Sequence, residues 1–307
     1  MTHGNSRTLA VTGGTGFVGR HLLRMALAEG HDVRALTRGW KPPETGIAWV
    51  DGALDRPDSL AKLAADADAV IHIAGLILGD RKAFDQVNVG GTAAMIDAAR
   101  KAGVRRFIHI SSLAAREPDL SSYGWSKAKS ERLVAASGLE WTIIRPPAVY
   151  GPGDRETLEL FSMARRGFVA LPPAGRFSLL HVEDLCRLIL AVIDEPDTVA
   201  ETYEPDDGVE NGWDHRHFAR SLGRVFQKRV MTLSMPKAAL KAASRVDRLF
   251  RRDRAKLTAD RVGYFCHPDW VVRAEHRPPA GLWGPRVRTQ AGLKQTADWY
   301  RAEGWLP

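Results

Sequence analysis

The sequence predicts an α/β fold, in which a doubly wound parallel sheet is followed by a smaller C-terminal lobe. Short apolar runs alternate with longer helical patterns through the first half of the chain. The runs are continuously apolar, as expected of parallel strands that are buried on both faces. Glycines also cluster where the first strand meets the first helix. We therefore predict a core domain over residues 1–150, a smaller lobe over residues 151–307, and a return of residues 179–195 to the core.

Each element has its own signal in the sequence. Apolar runs predict six strands, over residues 8–13, 31–38, 47–52, 68–75, 105–112 and 140–146. Apolar periodicity predicts helices over residues 17–29, 83–101 and 122–137, and Pro57 with its Asp and Ser neighbours predicts the start of another helix. Strands and helices that alternate in this way are joined by right-handed crossovers, which cover both faces of the sheet.

The composition is that of an ordinary globular protein, because 44% of the 307 residues are hydrophobic and 26% are charged. The two cysteines, Cys186 and Cys266, form no CxxC pattern, so we predict neither a metal site nor a disulfide. No apolar stretch precedes a cleavage site, and the apolar run at 188–193 is too short to cross a bilayer. We expect a cytoplasmic protein with reduced thiols.

Positive charge is concentrated in residues 236–256, where eight basic residues outnumber two acidic ones. Such a segment suits a solvated helix face, a nucleic-acid site, the rim of a site for anionic substrates, or a helix on an acidic membrane. We expect no nucleic-acid partner, and we keep contact with a membrane surface through 236–256 as an expectation beside the solvated face. The apolar side of the predicted helix consists of Leu240, Ala243, Val246, Leu249 and Phe250.

The junction between the first strand and the first helix reads VTGGTGFVG, with Gly13, Gly16 and Gly19 at GxxGxxG spacing. Glycine permits a tight turn and lets a pyrophosphate approach the backbone, while the amides at the start of the helix point toward the phosphates. At the first strand-to-helix turn of a chain, this pattern is a strong indication of a dinucleotide site. The expected cofactor contacts in this turn are Gly13, Thr15, Gly16, Phe17, Val18 and Gly19.

The end of the second strand indicates which dinucleotide is bound. An NAD site usually has an acidic residue there that holds the ribose hydroxyls. In this chain the strand ends Leu36-Thr37-Arg38, with no carboxylate. The guanidinium of Arg38 suits a 2′-phosphate through bidentate, charge-assisted hydrogen bonds. We predict a preference for NADP(H), with NAD(H) as the alternative.

The stretch YGWSK at 123–127 places Tyr123 and Lys127 four residues apart on a predicted helix, and therefore on one face. A nearby ammonium group favours the phenolate and lowers the pKa of a tyrosine. Such a phenol exchanges a proton with a carbonyl or alcohol oxygen near neutral pH. A hydroxyl at the end of the fifth strand, from Ser111 or Ser112, would hold the same oxygen. This arrangement indicates hydride transfer with Tyr123 as acid or base.

Several stretches across almost the whole chain complete a recognisable set: TGGTGFVGRHL (12–22), DAVIHIAG (68–75), NVGGT (88–92), ISS (110–112), YGWSK (123–127), RPPAVYGPGD (145–154), HVEDL (181–185) and TADWYRAEGWLP (296–307). With this set, the chain resembles the extended branch of the short-chain dehydrogenase/reductase superfamily, which comprises epimerases, dehydratases and reductases. The resemblance implies a Rossmann-type domain that binds NAD(P) and a C-terminal substrate-binding lobe.

The resemblance also implies the roles of individual residues. Ser112 would polarise the substrate oxygen, Tyr123 would act as acid or base, and Lys127 would lower the pKa of the tyrosine and hold the nicotinamide ribose. Asn88 would distort its helix as a support rather than react. The remaining cofactor contacts are expected at Ala74, Gly75, Ser111, Pro146 and Val149.

Two departures from the family pattern bear on the substrate. The family often has Gly-Asp-Leu after the third strand, whereas this chain has Gly52-Ala53-Leu54, so only Leu54 is expected to pack on the adenine. Ser112 and Tyr123 are only 11 residues apart. Sugar-nucleotide epimerases and dehydratases usually have a longer segment there, so its absence weakens that interpretation.

These observations predict an NADP(H)-dependent oxidoreductase that acts on a carbonyl or a secondary alcohol of a small-molecule substrate. Two alternatives stay open: an NAD-dependent sugar-nucleotide epimerase or dehydratase, and a non-catalytic protein that binds NADP(H) as a sensor or assembly subunit. A homodimer is also an expectation, because many relatives pair through an interface that includes the Tyr-Lys helix. The substrate is not evident from the sequence.

Overall fold

The computed structural model describes residues 6–251 and 258–307, so residues 252–256 of the basic segment lie outside the described residues. The strands are β1 (Thr8–Thr12), β2 (Asp32–Thr37), β3 (Ile47–Asp51), β4 (Ala69–His72), β5 (Arg106–Ile110), β6 (Glu140–Ile144), β7 (Ala148–Tyr150), β8 (Phe168–Leu171), β9 (Arg176–Phe177), β10 (Leu179–His181), β11 (Glu201–Tyr203), β12 (Trp213–Asp214), β13 (Met231–Ser234) and β14 (Asp269–Trp270). The α-helices are α1 (Phe17–Ala28), α2 (Pro57–Ala64), α3 (Arg81–Phe84), α4 (Gly91–Lys101), α5 (Ser122–Ala135), α6 (Leu158–Arg165), α7 (Val182–Ala191), α8 (His215–Val225), α9 (Lys237–Arg251), α10 (Ala259–Phe265) and α11 (Thr289–Ala302).

The main sheet has seven strands in the order β11-β6-β5-β4-β1-β2-β3. Every pair in it is parallel. The chain builds outward from β1 to β3 on one side and from β4 to β11 on the other. The strand order therefore reverses between β1 and β4, and ligands bind beyond the carboxyl ends of the strands at such a point. The predicted doubly wound parallel sheet is confirmed.

The strands of this sheet are apolar throughout because both of their faces are covered. All residues of β4 and β5 are buried, and helices α2 and α4 pack with the sheet residues in one hydrophobic cluster. The predicted helix over 83–101 is divided in the structure. A π-helical turn over Asp85–Gly90 separates α3 from α4. The short edge strand β11, which the sequence analysis missed, pairs with β6.

The chain divides into two compact units. The first comprises the described parts of Met1–Pro146 together with Leu185–Glu204 and Pro278–Trp283. The second comprises Pro147–Asp184, the described part of Pro205–Arg277, and Gly284–Pro307. The return that the sequence predicts for residues 179–195 begins in the structure at Leu185, because β10 pairs with β7 in the second unit.

The second unit has its own core and only small sheets. Its sheets are β7 with β10, β8 with β13, and β9 between β12 and β14. Helices α6, α8 and α11 contribute to a cluster of buried aromatic and aliphatic side chains that includes Phe161, Phe218 and Tyr300. Within residues 6–251 and 258–307, no helix combines the length and apolar character needed to cross a membrane.

Candidate active site

The turn between β1 and α1 has a shape that only glycine permits at two positions. Gly13 has a φ of +77°, and a Cβ atom placed on it would lie 2.7 Å from the backbone nitrogen of Ala74. A Cβ atom on Gly19 would lie 2.1 Å from the carbonyl oxygen of Gly13. The amide of Gly16 donates to that same carbonyl at 3.0 Å. The chain is therefore wound tightly enough for a phosphate group to reach its backbone.

The first turn of α1 suits an anion. Its N-cap residue is Gly16, which has no side chain with which to cap the amides of the helix. Those amides lack partners within the helix and lie at the positive end of its dipole. Thr15 and Gly16 precede the helix, Phe17 and Val18 begin it, and Gly19 allows it to pack against the turn. The residues of this turn therefore fit the pyrophosphate of a dinucleotide.

The segment after β4 lies next to both helix α5 and the turn between β1 and α1, which we call the glycine turn. The amide of Ala74 donates to the Thr12 hydroxyl at 3.2 Å, next to Gly13. Gly75 is exposed, and a Cβ atom on it would lie 3.0 Å from Oδ1 of Asn88 and 3.6 Å from Nζ of Lys127. Four of the predicted site residues, Gly13, Ala74, Gly75 and Lys127, therefore lie in one continuous region.

Helix α5 carries the Tyr-Lys pair. It begins after Ser121, whose hydroxyl accepts a hydrogen bond from the Gly124 amide at 3.0 Å. Tyr123 is half-buried in the first turn, and its ring packs 5.9 Å from that of Phe84. Lys127 is buried one turn later. The Tyr-Lys pair therefore shares one face of α5, and the lysine is the more buried of the two.

Lys127 is held by a backbone carbonyl group at the end of β5. Its Nζ donates to the backbone oxygen of Ile110, the last residue of β5, at 2.9 Å. Burial lowers the pKa of Lys127 to about 8, although the nearby carboxylate of Glu131 acts to raise it. The charge of this lysine is therefore lost at a lower pH than that of an exposed lysine.

The two serines after β5 differ in their hydrogen bonds. The hydroxyl of Ser111 donates a hydrogen bond to Glu131 at 2.5 Å, so its proton already has an acceptor within the protein. Ser112 instead accepts from the Ala114 amide at 3.2 Å and caps the 3₁₀ helix Leu113–Arg116. A hydroxyl that accepts one hydrogen bond can still donate another. Ser112 is therefore better suited than Ser111 to hold a substrate oxygen.

A buried network of charges supports this end of the sheet. Arg145 donates to both carboxylate oxygens of Glu131, at 2.9 and 2.7 Å, and to Glu204 at 3.4 Å. Arg116 also donates to Glu204, at 3.2 Å. Ser111, Arg145 and Glu204 each directly follow a strand, respectively β5, β6 and β11. The network ties α5, through Glu131, to the carboxyl ends of three neighbouring strands.

Sequence analysis missed this network. Glu131 lies four residues after Lys127, so the shared face of α5 was a signal for it. Arg145 and Glu204 had no local signal, because their partners lie far away in the sequence.

Asn88 lies in the π-helical turn and binds both polar groups of one backbone residue. Its side chain accepts from the Leu76 amide at 2.7 Å and donates to the Leu76 carbonyl at 3.1 Å. It also donates to Ser126 of α5 at 2.9 Å. These hydrogen bonds connect the loop after β4 to the Tyr-Lys helix through the π-helical turn. Such turns occur frequently at functional sites.

Two buried histidines lie beneath the site. His72 contacts the hydroxyl of Thr12 at 2.8 Å through Nδ1 and that of Thr92 at 3.0 Å through Nε2, and its ring stacks on His109. Burial lowers the pKa of His72 to about 3, and the charge of Lys127 acts in the same direction. Both partners of His72 belong to the protein core, which makes it a structural residue.

The predicted contacts for the adenine end lie beyond β2 and β3. Arg38 is exposed and directly follows β2. Leu54 is half-buried and packs against Gly91, where a Cβ atom would lie 2.5 Å from its Cδ1. Because β2 and β3 are parallel neighbours, with Thr37 opposite Asp51, both side chains lie at the same edge of the sheet.

Pro146 and Val149 fall in different units. The carbonyl of Pro146 accepts from the Leu113 amide at 3.1 Å, so it lies beside the segment after Ser112 in the first unit. Val149 lies in β7 of the second unit, opposite Leu180. The role of both residues as nicotinamide contacts stays a prediction.

Comparisons with known proteins identify the family of the chain. The model of the NAD dependent epimerase/dehydratase family matches residues 9–204, which include the glycine turn and the Tyr-Lys pair. The chain is 36% identical to the ceramide reductase of Caulobacter vibrioides over 311 residues, covering 97% of this chain and 96% of that protein. It is 26% identical to the UDP-glucose 4-epimerase of Vibrio cholerae, covering 95% of each protein.

Among solved structures, MoeE5 in complex with UDP-glucose and NAD has the same fold, with a TM-score of 0.74. Its sequence identity is 22%, and the match covers 97% of this chain and 99% of that one. The family match extends over well more than half of the chain, and the relatives include both reductases and epimerases. The chain therefore belongs to the NAD dependent epimerase/dehydratase family, within the extended short-chain dehydrogenases/reductases.

Proposed function

We propose that this protein is an NADP(H)-dependent reductase that converts a carbonyl group of its substrate to a secondary alcohol. The observation that carries this proposal is the placement of buried Lys127 one turn below Tyr123, with Gly75 of the cofactor-binding region beside its ammonium group. The second line of support is the full-length similarity to a reductase, at 36% identity.

When bound, the reduced nicotinamide supplies a hydride to the carbonyl carbon. The residues of this chain would then bind and protonate the carbonyl oxygen of the substrate. The hydroxyl of Ser112 donates a hydrogen bond to it, and Tyr123 transfers its proton to it as negative charge develops. The products are a secondary alcohol and the oxidised cofactor, and the Tyr123 phenolate regains its proton from solvent.

Lys127 supports this proton transfer through its charge. A cation close to Tyr123 favours the phenolate that remains after the proton has left. This requires Lys127 to be protonated, and its pKa of about 8 makes the cation the main form at neutral pH. The carboxylate of Glu131, four residues along the helix, helps to retain that charge.

Arg38 would select the phosphorylated cofactor. It is exposed at the end of β2, where a 2′-phosphate on the ribose of NADP(H) would meet its guanidinium. The family description names NAD, so NAD(H) is the competing cofactor. Comparison of the KM values for NADPH and NADH tests this choice, and an equal or lower KM for NADH would contradict it.

For the substrate, we propose a lipid of the ceramide class that carries a ketone. The similarity to the ceramide reductase of Caulobacter vibrioides extends over 97% of this chain, with 36% identity. The segment between Ser112 and Tyr123 supports a reductase over a sugar-nucleotide enzyme. It contains only the 3₁₀ helix Leu113–Arg116 and a short loop, and lacks the longer insertion usual in the sugar-nucleotide branch.

The test is to incubate the purified protein with NADPH and a ceramide ketone, and in parallel with UDP-glucose. We expect one NADPH to be oxidised for each alcohol formed from the lipid. A 4-epimer of UDP-glucose that forms without net oxidation of NADPH would instead support the epimerase alternative.

The variant Tyr123→Phe separates catalysis from cofactor binding. We expect kcat to fall by roughly 10³-fold, since general acid catalysis contributes about 10²–10⁴-fold. Binding of NADPH should be nearly unchanged, which cofactor fluorescence would measure. A variant that keeps its turnover would exclude this mechanism, and a wild-type protein that binds NADPH but never turns over would support the sensor alternative.

A further inference from the structure

An exposed apolar surface lies in the second unit, on the small sheet formed by β8 and β13. The two strands are parallel, with Met231 opposite Phe168 and Leu233 opposite Ala170. Successive side chains of a strand point to opposite faces. Val169 and Leu171 point into the core of the second unit. Phe168, Met231 and Leu233 belong to the other face and are 41%, 76% and 56% exposed.

Cations surround these apolar side chains. Arg166 lies just before β8, and Lys228 and Arg229 lie just before β13; all three are exposed. The amide of Met231 donates to the carbonyl of Gly167 at 2.9 Å, which brings the two basic segments side by side. We call Arg166, Phe168, Lys228, Arg229, Met231 and Leu233 the edge patch.

The segments that carry the edge patch contain basic residues but no acidic ones. Residues 160–171 and 226–246 contain no aspartate or glutamate. Helix α9 follows β13 after two residues and adds exposed cations at Lys237, Lys241 and Arg245. The edge patch therefore combines exposed apolar side chains with neighbouring segments whose charged residues are all basic.

We propose that the edge patch docks the protein on an anionic membrane surface. Large apolar side chains gain free energy by entering the boundary between head groups and acyl chains, and lysine and arginine beside them attract anionic lipid head groups. The apolar side chains and the cations are both exposed here and lie next to one another, as this mode of binding requires. The proposal is independent of the reaction, because binding to vesicles needs neither cofactor nor substrate.

Other occupants fit the edge patch less well. A second copy of the chain would bring the same cations against the first, and like charges across an interface are unfavourable. A nucleic acid would neutralise the cations but would leave Met231 and Leu233 without apolar partners. A membrane satisfies both kinds of side chain at once.

The structure changes the membrane contact expected from sequence alone. That expectation rested on the apolar side of the helix over 236–256, yet Leu240 and Ala243 are half-buried and the neighbouring Ser244 is buried. That side of α9 therefore packs on the protein in its first turns. The side chains of Val246, Leu249 and Phe250 lie outside the described residues. The exposed apolar side chains nearest to α9 in the sequence belong to β13 instead, where Met231 and Leu233 are 76% and 56% exposed.

The proposal is tested by sedimentation of the full-length protein with phosphatidylcholine vesicles, with and without phosphatidylglycerol. We expect binding to the anionic vesicles that weakens at high salt. Reversal of two cations in Lys228→Glu/Arg229→Glu should lower the partition coefficient by roughly 30-fold or more. Removal of apolar area in Met231→Ser/Leu233→Ser should lower it by roughly tenfold, also at high salt.

Two matched controls accompany these variants. Lys62→Glu/Lys101→Glu makes the same change of net charge on exposed helical sites of the first unit, and should leave binding within about twofold of wild type. Met231→Leu/Leu233→Met keeps the apolar area and should also bind. Thermal melting shows whether each variant is folded, which is expected because all of these side chains are exposed.

Three results would overturn the proposal. The first is a wild-type protein that fails to bind anionic vesicles at low salt. The second is an equal loss of binding in the control with reversed charges in the first unit, which would make net charge alone responsible. The third is a dimer that forms without vesicles and is lost in Met231→Ser/Leu233→Ser, which would assign the edge patch to a second copy.

Discussion

Two charged side chains of α5 and three of α9 lie in opposite environments. In α5, Lys127 and Glu131 are buried, and each is bonded to groups at the carboxyl ends of the sheet strands. In α9, Lys237, Lys241 and Arg245 are exposed. Both helices carry several charges in the sequence, so the number of charges does not distinguish them.

The difference shows what each kind of charge can do. A buried charge must be paired, because the loss of its partner leaves an uncompensated charge in the protein interior, and the paired groups hold their helix in position. An exposed charge contributes little to folding, which leaves it available for a ligand or a surface. The predictions below test this distinction, beginning with the largest effect.

The buried network should be the most sensitive to mutation. Arg145→Ala removes the cation shared by Glu131 and Glu204, whose side chains are 9% and 0% exposed. We expect the free energy of unfolding to fall by about 3–5 kcal/mol, because an uncompensated buried charge remains. Urea denaturation measures this.

The matched control for Arg145 is an arginine in an exposed ion pair. Arg105 pairs with Glu140 at 2.5 Å, and its side chain is 80% exposed. Arg105→Ala should cost about 1 kcal/mol or less. Equal losses for the two arginines would show that burial does not separate them.

An exposed charge should matter where a ligand meets it. Arg38→Ala should raise the KM for NADPH by about 10–100-fold, since hydrogen bonds to charged groups contribute about 1.5–3 kcal/mol. The KM for NADH should not change, because NADH lacks the 2′-phosphate. Steady-state kinetics with both cofactors measure this, and Lys62→Ala is the control. An equal rise in the KM for NADH would show that Arg38 does not act through the 2′-phosphate.

The pH profile tests the buried pair in α5. The activating form of Lys127 is the protonated one, so reductase activity should fall as pH rises through about 8, the pKa of Lys127. Glu131 acts to raise this pKa, so Glu131→Gln should move the fall in kcat to lower pH. Glu140→Gln, which alters an exposed pair, should leave the profile unchanged. An unchanged pH profile in Glu131→Gln would show that this carboxylate does not influence the pKa of Lys127.

The smallest effect on folding is expected in α9. Lys237→Gln/Lys241→Gln should change the free energy of unfolding by no more than about 0.5 kcal/mol, as is usual for surface substitutions. Urea denaturation of this variant beside Arg145→Ala gives the comparison directly. A loss of several kcal/mol would mean that these lysines have structural partners.

The local features of the fold could be predicted from the sequence alone. Apolar runs, glycines and caps report the conformation of neighbouring residues, so six of the strands in the main sheet and the glycine turn between β1 and α1 were predictable. Tyr123 and Lys127 share a face of α5 for the same reason, because their spacing matches the helical period. Strand–helix alternation then determined the parallel sheet through the handedness of its crossovers.

Only the tertiary structure decided which groups meet across long separations. Ser111 and Ser112 are neighbours in the sequence, but the commitment of Ser111 to Glu131 depends on how α5 lies against β5. Arg145 meets Glu204 because β6 and β11 are adjacent in the sheet.

Strand β13 also shows what the sequence alone cannot predict. Its sequence, MTLS, alternates apolar and polar residues as a half-buried strand does, and this pattern normally places the apolar face inside. In the fold, Met231 and Leu233 are exposed instead. Periodicity determines which side chains share a face, whereas the neighbours that cover a face are set by contacts between distant parts of the chain.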